Sequence, residues 1–166
     1  MKIIRAKIEQ AEEISKLRVG AIKKFNSAEN SLEEMEFLMK RNTPEMIEEK
    51  IDKRDVFVAV ENGKVIGAIE LNDNEITALY VDSEKTRKGI GSKLIKFMEK
   101  YAREKKGLKK MNICSTEFGL EFYKKQGYNL TKTEKRIISG IMMTKRVMEK
   151  ELESGWGTPR TSENVV

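Results

Sequence analysis

A turn with two glycines, placed between an apolar run and an amphipathic stretch, constrains this chain more than any other feature. The apolar run covers residues 76–81, the turn covers residues 86–92 (TRKGIGS), and apolar residues recur from Leu94 to Ala102. Recurrence at intervals of three and four residues predicts a helix. In a strand–turn–helix unit, backbone N–H groups and the helix dipole favour a bound anion, and glycine lets that anion approach the backbone closely. The unit therefore predicts a small ligand that carries phosphate groups.

Two common phosphate-binding motifs do not fit this turn. A Walker P-loop requires Gly-x-x-x-x-Gly-Lys-Ser/Thr, which the sequence lacks. A dinucleotide-binding fingerprint requires a third glycine, where this chain has Leu94, and an acidic residue about twenty positions further on. The predicted helix instead continues past Lys105. A mononucleotide P-loop and a dinucleotide-binding fold are therefore not expected.

The turn and a second motif downstream together resemble the GNAT superfamily of N-acetyltransferases. Residues 86–92 resemble the family's Gln/Arg-x-x-Gly-x-Gly/Ala loop, which binds the diphosphate of acetyl-CoA. Residues 122–128 (FYKKQGY) resemble its Phe/Leu-Tyr-x-x-x-Gly-Phe/Tyr signature, and residues 138–145 (ISGIMMTK) resemble its last strand. The resemblance covers residues 1–148. It implies an α/β fold with a mixed, mostly antiparallel central sheet of about seven strands and helices on both faces.

The pattern along the chain agrees with an α/β architecture. Strands are predicted near residues 3–6, 56–60, 65–71, 75–82, 111–114, 128–135 and 138–147. Helices are predicted over residues 10–25, 32–39, 44–53, 88–106 and 116–126. Ser31 and Glu34 form a capping-box pattern, and Asn62-Gly63 is typical of a tight hairpin. Residues 149–166 are polar and turn-rich, which predicts a flexible C-terminal tail.

The composition limits which catalytic groups, metal sites and binding partners are expected. The 166-residue chain contains no histidine, so the commonest general base and zinc ligand are missing and no metal site is expected. One cysteine, no signal peptide and no apolar stretch of about 18 residues predict a cytoplasmic protein without a membrane partner. The net charge of +6 would suit a nucleic-acid partner. Lys and Glu alternate along the predicted helices, however, which is typical of solvated faces, so no nucleic-acid partner is predicted.

The resemblance also implies which residues contact acetyl-CoA. In the family the pantetheine arm lies between the fourth and fifth strands and pairs with backbone groups of the fourth. The implied cofactor-binding residues are Leu79, Val81, Arg87, Lys88, Gly89, Ile90, Gly91, Ser92 and Thr116. Thr86 stands where the family usually has Gln or Arg, and Thr116 stands where it often has Asn. We expect these two departures to weaken side-chain contacts, whereas backbone contacts to the diphosphate remain.

Two candidate catalytic residues follow from the same resemblance. Tyr123 has the position of the acid that protonates the departing thiolate, and an ordinary phenol pKa of about 10 keeps its proton available. Glu75 has the offset of the general base in the histone-acetylating branch, where partial burial would raise a carboxyl pKa toward neutrality. Tyr123 could instead only pack its helix, and Glu75 could only close a turn. Glu70 is the second candidate base, a water chain is the third, and Cys114 is predicted to be a buried strand residue.

The predicted activity is transfer of acetyl from acetyl-CoA to a primary amine by direct attack in a ternary complex. The amine acceptor is a small molecule or a protein, and the resemblance leaves a homodimer open. The alternative is an acyl-CoA-binding sensor or regulatory module with little catalysis, which the Thr86 departure and the lack of histidine allow.

Overall fold

A single mixed sheet of seven strands organises the protein. The computed structural model describes residues 1–25 and 30–153. The strands are β1 (Lys2–Arg5), β2 (Asp55–Glu61), β3 (Lys64–Asn72), β4 (Glu75–Val81), β5 (Lys110–Ser115), β6 (Asn129–Ile138) and β7 (Ile141–Glu151). They lie in the order β1-β2-β3-β4-β5-β7-β6, and every neighbouring pair is antiparallel except β4 and β5. The predicted mostly antiparallel α/β sheet is therefore confirmed.

Helices cover both faces of this sheet because strand side chains alternate between the two faces. The helices are α1 (Ala11–Phe25), α2 (Leu32–Lys40), α3 (Pro44–Lys53), α4 (Ile90–Lys106) and α5 (Leu120–Lys125). On one face, Leu94 and Met98 of α4 pack against Ile69. On the other face, Ile14 of α1 packs in a second core with Ala68, the neighbour of Ile69 on β3.

The ends of the helices follow local chemistry. Ser31 Oγ accepts from the Glu34 N–H at 3.2 Å, and Glu34 Oε2 accepts from the Ser31 N–H at 2.6 Å, so the predicted capping box is present. The helix predicted from residue 116 begins only at Leu120, because Thr116 Oγ1 accepts from the Gly119 N–H at 3.1 Å and closes a turn there. The predicted tail starts inside β7, and residues 154–166 lie outside the described residues.

Strands β4 and β5 separate almost as soon as they meet. Their ladder consists of Glu75 opposite Asn112 and Ile76 opposite Ile113. One extra residue, Thr77, enters β4 at this point, because Glu70 of β3 faces Ala78 while Leu71 faces Ile76. The strands then diverge, and we call this divergence the fork. Backbone groups on its inner edges have no sheet partner, which leaves them available to water or a ligand.

A buried carboxylate lies beside the fork. Glu70 is 1% exposed, and its Oε2 accepts from Arg18 Nη1 at 2.9 Å. Its Oε1 accepts from Arg54 Nη1 at 2.5 Å and from the Thr77 hydroxyl at 2.6 Å. Burial alone would raise the pKa of Glu70, but the charge of Arg18 and the hydrogen bonds from Thr77 and Arg54 outweigh it and lower the pKa to about 2. Glu70 is therefore ionised throughout the neutral range.

We expect Glu70→Gln to lower the free energy of unfolding by about 3–5 kcal/mol, because it leaves two guanidinium groups without their counter-charge. Because the folded pKa lies below the ordinary value of 4.5, this stabilisation is present above about pH 4.5 and is lost as the pH falls toward 2. Denaturant unfolding at pH 7 measures the effect. The control is Glu12→Gln, which removes an exposed pair with Lys16 and should leave the midpoint unchanged. Equal midpoints for the two variants would contradict a stabilising role for ionised Glu70.

Candidate functional site

A cavity of about 530 Å³ extends from the fork to the glycine turn. Its walls come from the diverging parts of β4 and β5, the first turn of α4, the start of α5 and the end of α1. The predicted cofactor-binding residues that line it are Leu79, Val81, Arg87, Gly89, Ile90, Gly91, Ser92 and Thr116. Tyr123 lines it as well, whereas Lys88 and Glu75 are not among its lining residues.

The glycine turn ends at the N-terminus of α4. Arg87 and Gly89 both adopt left-handed conformations, with φ of 61° and 74°. Gly89 is the N-cap, and the Lys93 N–H donates to its carbonyl oxygen at 3.0 Å. The N–H groups of residues 90–92 therefore have no acceptor within the helix. Together with the positive end of the helix dipole, they give this part of the cavity the chemistry that an anion requires.

The two glycines of this turn meet different needs. A Cβ atom at Gly89 would have no atom of the described residues within 4 Å, so this position is open space in that part of the chain. A Cβ atom at Gly91 would lie 3.2 Å from Cζ of Phe122, so this glycine allows α4 to pack closely on α5. The first glycine can thus admit a ligand, and the second brings the two helices together.

Ser92 is held by a hydrogen bond from the residue that ends α5. Its hydroxyl accepts from Gln126 Nε2 at 3.0 Å, and the Gln126 carbonyl accepts from Lys150 Nζ at 2.7 Å. Lys150 also pairs with Glu99 of α4 at 2.9 Å. Sequence reasoning missed Gln126, which occupies a variable position of the FYKKQGY motif and carries no signal of its own.

Tyr123 lies on the part of the cavity wall that comes from α5. It is 9% exposed, and burial first, then the neighbouring Tyr80 and Cys114, raise its phenol pKa. Its ring packs edge-on against Tyr128, with centroids 6.2 Å apart. A Cβ atom at Gly119 would lie 2.7 Å from the Ser115 hydroxyl and 3.1 Å from Cε2 of Tyr123, so glycine leaves room for both side chains. Tyr123 therefore packs α5 and lines the cavity, and its raised pKa keeps the phenol protonated at neutral pH.

Neither carboxylate considered as a base lies on the cavity wall. Glu75 lies at the closed end of the fork opposite Asn112, and partial burial and then the charge of Glu75 raise the pKa of the nearby Cys114 thiol. Glu70 is buried, and its pKa of about 2 makes it too weak a base for proton removal at neutral pH. The second candidate base is therefore wrong.

Two further features of the cavity differ from expectation or were missed. Cys114, predicted to be buried, is solvent-accessible on the cavity wall, because strand alternation places it on the opposite face of β5 from the buried Ile113 and Ser115. Phe25 at the end of α1 and Phe118 after β5 stack with centroids 5.5 Å apart and both line the cavity. These two residues lie 93 positions apart and belong to no common sequence pattern, so their stacking could not be predicted from the sequence.

Within residues 1–25 and 30–153, no group of three or more His, Cys, Asp or Glu side chains is placed to hold a metal ion. Over the same part of the chain, no helix has the length and apolar character needed to cross a membrane.

Comparisons with known proteins place the chain in a family. The family model described as "Acetyltransferase (GNAT) domain" matches residues 21–152, and the chain belongs to this GNAT acetyltransferase family. The uncharacterized N-acetyltransferase YafP of Escherichia coli (strain K12) is 28% identical over 96 residues, which are 58% of this chain and 60% of YafP. The match thus spans less than two thirds of that relative's length.

Two solved structures share the fold. One is a GCN5-related N-acetyltransferase from Rhodopseudomonas palustris, with a TM-score of 0.83, 21% identity and coverage of 91% of this chain and 95% of the other. The second is the PaiA N-acetyltransferase of Thermoplasma acidophilum in complex with coenzyme A, with a TM-score of 0.78, 23% identity and coverage of 90% and 98%. At these identities the likeness establishes the fold alone.

The single cysteine offers a direct probe of the cavity wall. Because the pKa of the Cys114 thiol is raised, mainly by partial burial, little thiolate is present at pH 7.5. We expect a small maleimide to label Cys114 more slowly than free cysteine, with a rate that is still rising above pH 9. Mass spectrometry of timed samples measures the labelling. Labelling as fast as that of free cysteine at pH 7.5 would contradict the raised pKa.

Proposed function

We propose that the protein transfers an acetyl group from acetyl-CoA to a primary amine by direct attack in a ternary complex. The observation that carries the proposal is one cavity that joins an anion-binding helix N-terminus to a protonated tyrosine at the fork. The pantetheine arm of acetyl-CoA joins its diphosphate to its thioester, so one elongated cavity can bind the diphosphate at the glycine turn and hold the thioester near the fork. Membership of the GNAT family supports this reading.

In the proposed complex the diphosphate is bound by backbone N–H groups of Gly89, Ile90, Gly91 and Ser92, with Arg87 adding charge. Lys88, which is exposed and outside the cavity lining, contributes only long-range attraction. The pantetheine arm pairs with the free edge of β4 around Leu79 and Val81. Thr116 keeps a hydroxyl proton to donate, because its Oγ1 accepts from Gly119.

The proposed reaction balances as follows. The amine nitrogen attacks the thioester carbon, the new C–N bond forms and the C–S bond breaks. The leaving thiolate takes the phenolic proton of Tyr123, which regains a proton from water. The proton lost by the amine passes to water, and Glu75 enters only through an intervening water because it does not line the cavity.

A second candidate function is a sensor that binds acyl-CoA without efficient catalysis. It is favoured by one observation: no carboxylate of the described residues lines the cavity, so a direct general base is missing there. Both candidates bind acetyl-CoA. Release of free thiol in the presence of a panel of amines distinguishes them, because only the transferase produces it.

We expect wild-type protein to bind acetyl-CoA in calorimetric titrations and to bind neither NADH nor ATP with comparable affinity. Gly89→Ala should raise the dissociation constant by about tenfold or more, because its methyl group occupies the open space where a phosphate approaches. Gly107→Ala is the matched control: Gly107 caps the other end of α4 with φ of 68° and equally open surroundings. It should cause the same backbone strain without loss of affinity. Failure of the wild-type protein to bind acetyl-CoA would refute the proposal.

We expect Tyr123→Phe to lower kcat by about 100-fold with acetyl-CoA affinity nearly unchanged, because the departing thiolate loses its proton donor. Tyr128→Phe is the control, since it removes a buried hydroxyl from the same aromatic cluster at a residue that does not line the cavity. Thiol release and calorimetry measure the two quantities. Unchanged kcat in the Tyr123 variant would remove this residue from the mechanism.

A further inference from the structure

The buried Glu70 carboxylate has a structural connection to the cavity. Thr77, whose hydroxyl donates to Glu70, is the extra residue of β4 at the fork and also lines the cavity. Arg18, the partner of Glu70 at 2.9 Å, lies over the ring of Tyr80 at 5.8 Å, and Tyr80 lines the cavity as well. The buried Glu70 carboxylate thus contacts the cavity wall in two ways: directly through Thr77, and through Arg18 at Tyr80.

The residues that surround Glu70 also form hydrogen bonds with α1, α2 and the end of α3. Arg18 Nη1 also donates to Asn42 Oδ1 at 3.4 Å, and Asn42 follows α2. The Asn42 side chain donates to the Leu38 carbonyl at 2.8 Å, and its own carbonyl accepts from Ser15 of α1 at 2.6 Å. Arg54 brings in the end of α3. Glu70 is therefore fixed relative to α1, α2, α3 and β3, which makes it a rigid point to which β4 can be attached.

On this basis, and resting on the proposed acetyl transfer, we propose that Glu70 and Thr77 are positioning residues that clamp the extra residue of β4 and so set where the acyl end of the thioester lies. Within the described residues, the Thr77–Glu70 hydrogen bond is the side-chain link from this clamp to the extra residue itself. Beyond Ile76 the β4 edge that faces β5 has no ladder partner in this part of the chain, so the strand is held there by its ladder with β3 and by this link at the bulge.

The clamp and the anion-binding site are separate in the structure. The phosphate end is fixed by the N-terminus of α4 and by the Gln126–Ser92 hydrogen bond, neither of which involves Glu70 or Thr77. Loosening the clamp should therefore misplace the thioester while leaving the CoA moiety bound. Small displacements of reacting atoms cost large factors in rate.

Thr77→Val tests the clamp with little risk to folding. The change keeps shape and strand propensity at an exposed side chain, and Glu70 retains Arg18 and Arg54 as partners. We expect kcat to fall about 10- to 100-fold while the dissociation constant of free CoA stays within about twofold of wild type. Thr77→Ser, which restores the hydroxyl, should recover most of the lost rate. Thr133→Val, an exposed strand threonine on β6 away from the cavity, should match wild type.

The pH dependence separates positioning from proton transfer. Because ionised Glu70 does not titrate in the assay range, Thr77→Val should lower kcat by the same factor at pH 6.5 and pH 9. Unchanged kcat, a parallel loss of CoA affinity, or a factor that changes with pH would each overturn the clamp. Failure of the wild-type protein to bind CoA or release thiol would instead refute the proposed function, so the two failures are distinguishable.

Discussion

The protein depends on one interruption in an otherwise continuous sheet, the parting of β4 and β5 after two residue pairs. Backbone groups inside a sheet are normally paired, and leaving them unpaired in the interior costs free energy. The fork keeps them at the wall of an open cavity, where water or a ligand supplies the missing partners. The extra residue Thr77 starts the divergence, and α4 and α5 fill the space behind it. Without this gap, the glycine turn and Tyr123 would not face a common space.

The two ends of the cavity are held by different kinds of interaction. At the glycine turn the proposed anion-binding site is built from backbone N–H groups, so we expect it to tolerate Thr86 in place of the family's Gln or Arg. At the fork the wall rests on the ionised Glu70, and removing a charge from water is favourable only when its partners are in place. Arg18 and Arg54 supply two positive charges for one negative charge, and burial lowers the pKa of nearby Lys50 to about 8. The structure behind the fork is therefore rich in buried charge.

Features that depend on local sequence were predicted well, and features that depend on tertiary contacts were not. The glycine turn, the capping box at Ser31 and the succession of strands and helices along the chain follow from spacing and turn chemistry, and the structure contains them. Whether Glu70 has a raised or a lowered pKa depends on arginines 16 and 52 positions away, which no local pattern reveals. Cys114 lies in the predicted strand, but which face of β5 is covered depends on tertiary packing, so its exposure was not predicted. The assignments of Tyr123 and Glu75 to catalysis stay predictions, since position on a wall is necessary for that role but not sufficient.

The charge distribution of the cavity constrains how an amine can react in it. A carboxylate that takes a proton at neutral pH needs a raised pKa, and the one buried carboxylate near the fork has a strongly lowered pKa because two guanidinium groups surround it. Burial raises the pKa of the Tyr123 phenol, so in the proposed reaction it serves as a proton donor and not as an acceptor. In that reaction, water removes the proton from the incoming ammonium, and binding must favour the small neutral fraction of the amine. Without a dedicated base, the proposed reaction depends more strongly on how accurately the amine and the thioester are placed relative to each other. A rigid fork would hold the thioester in that position.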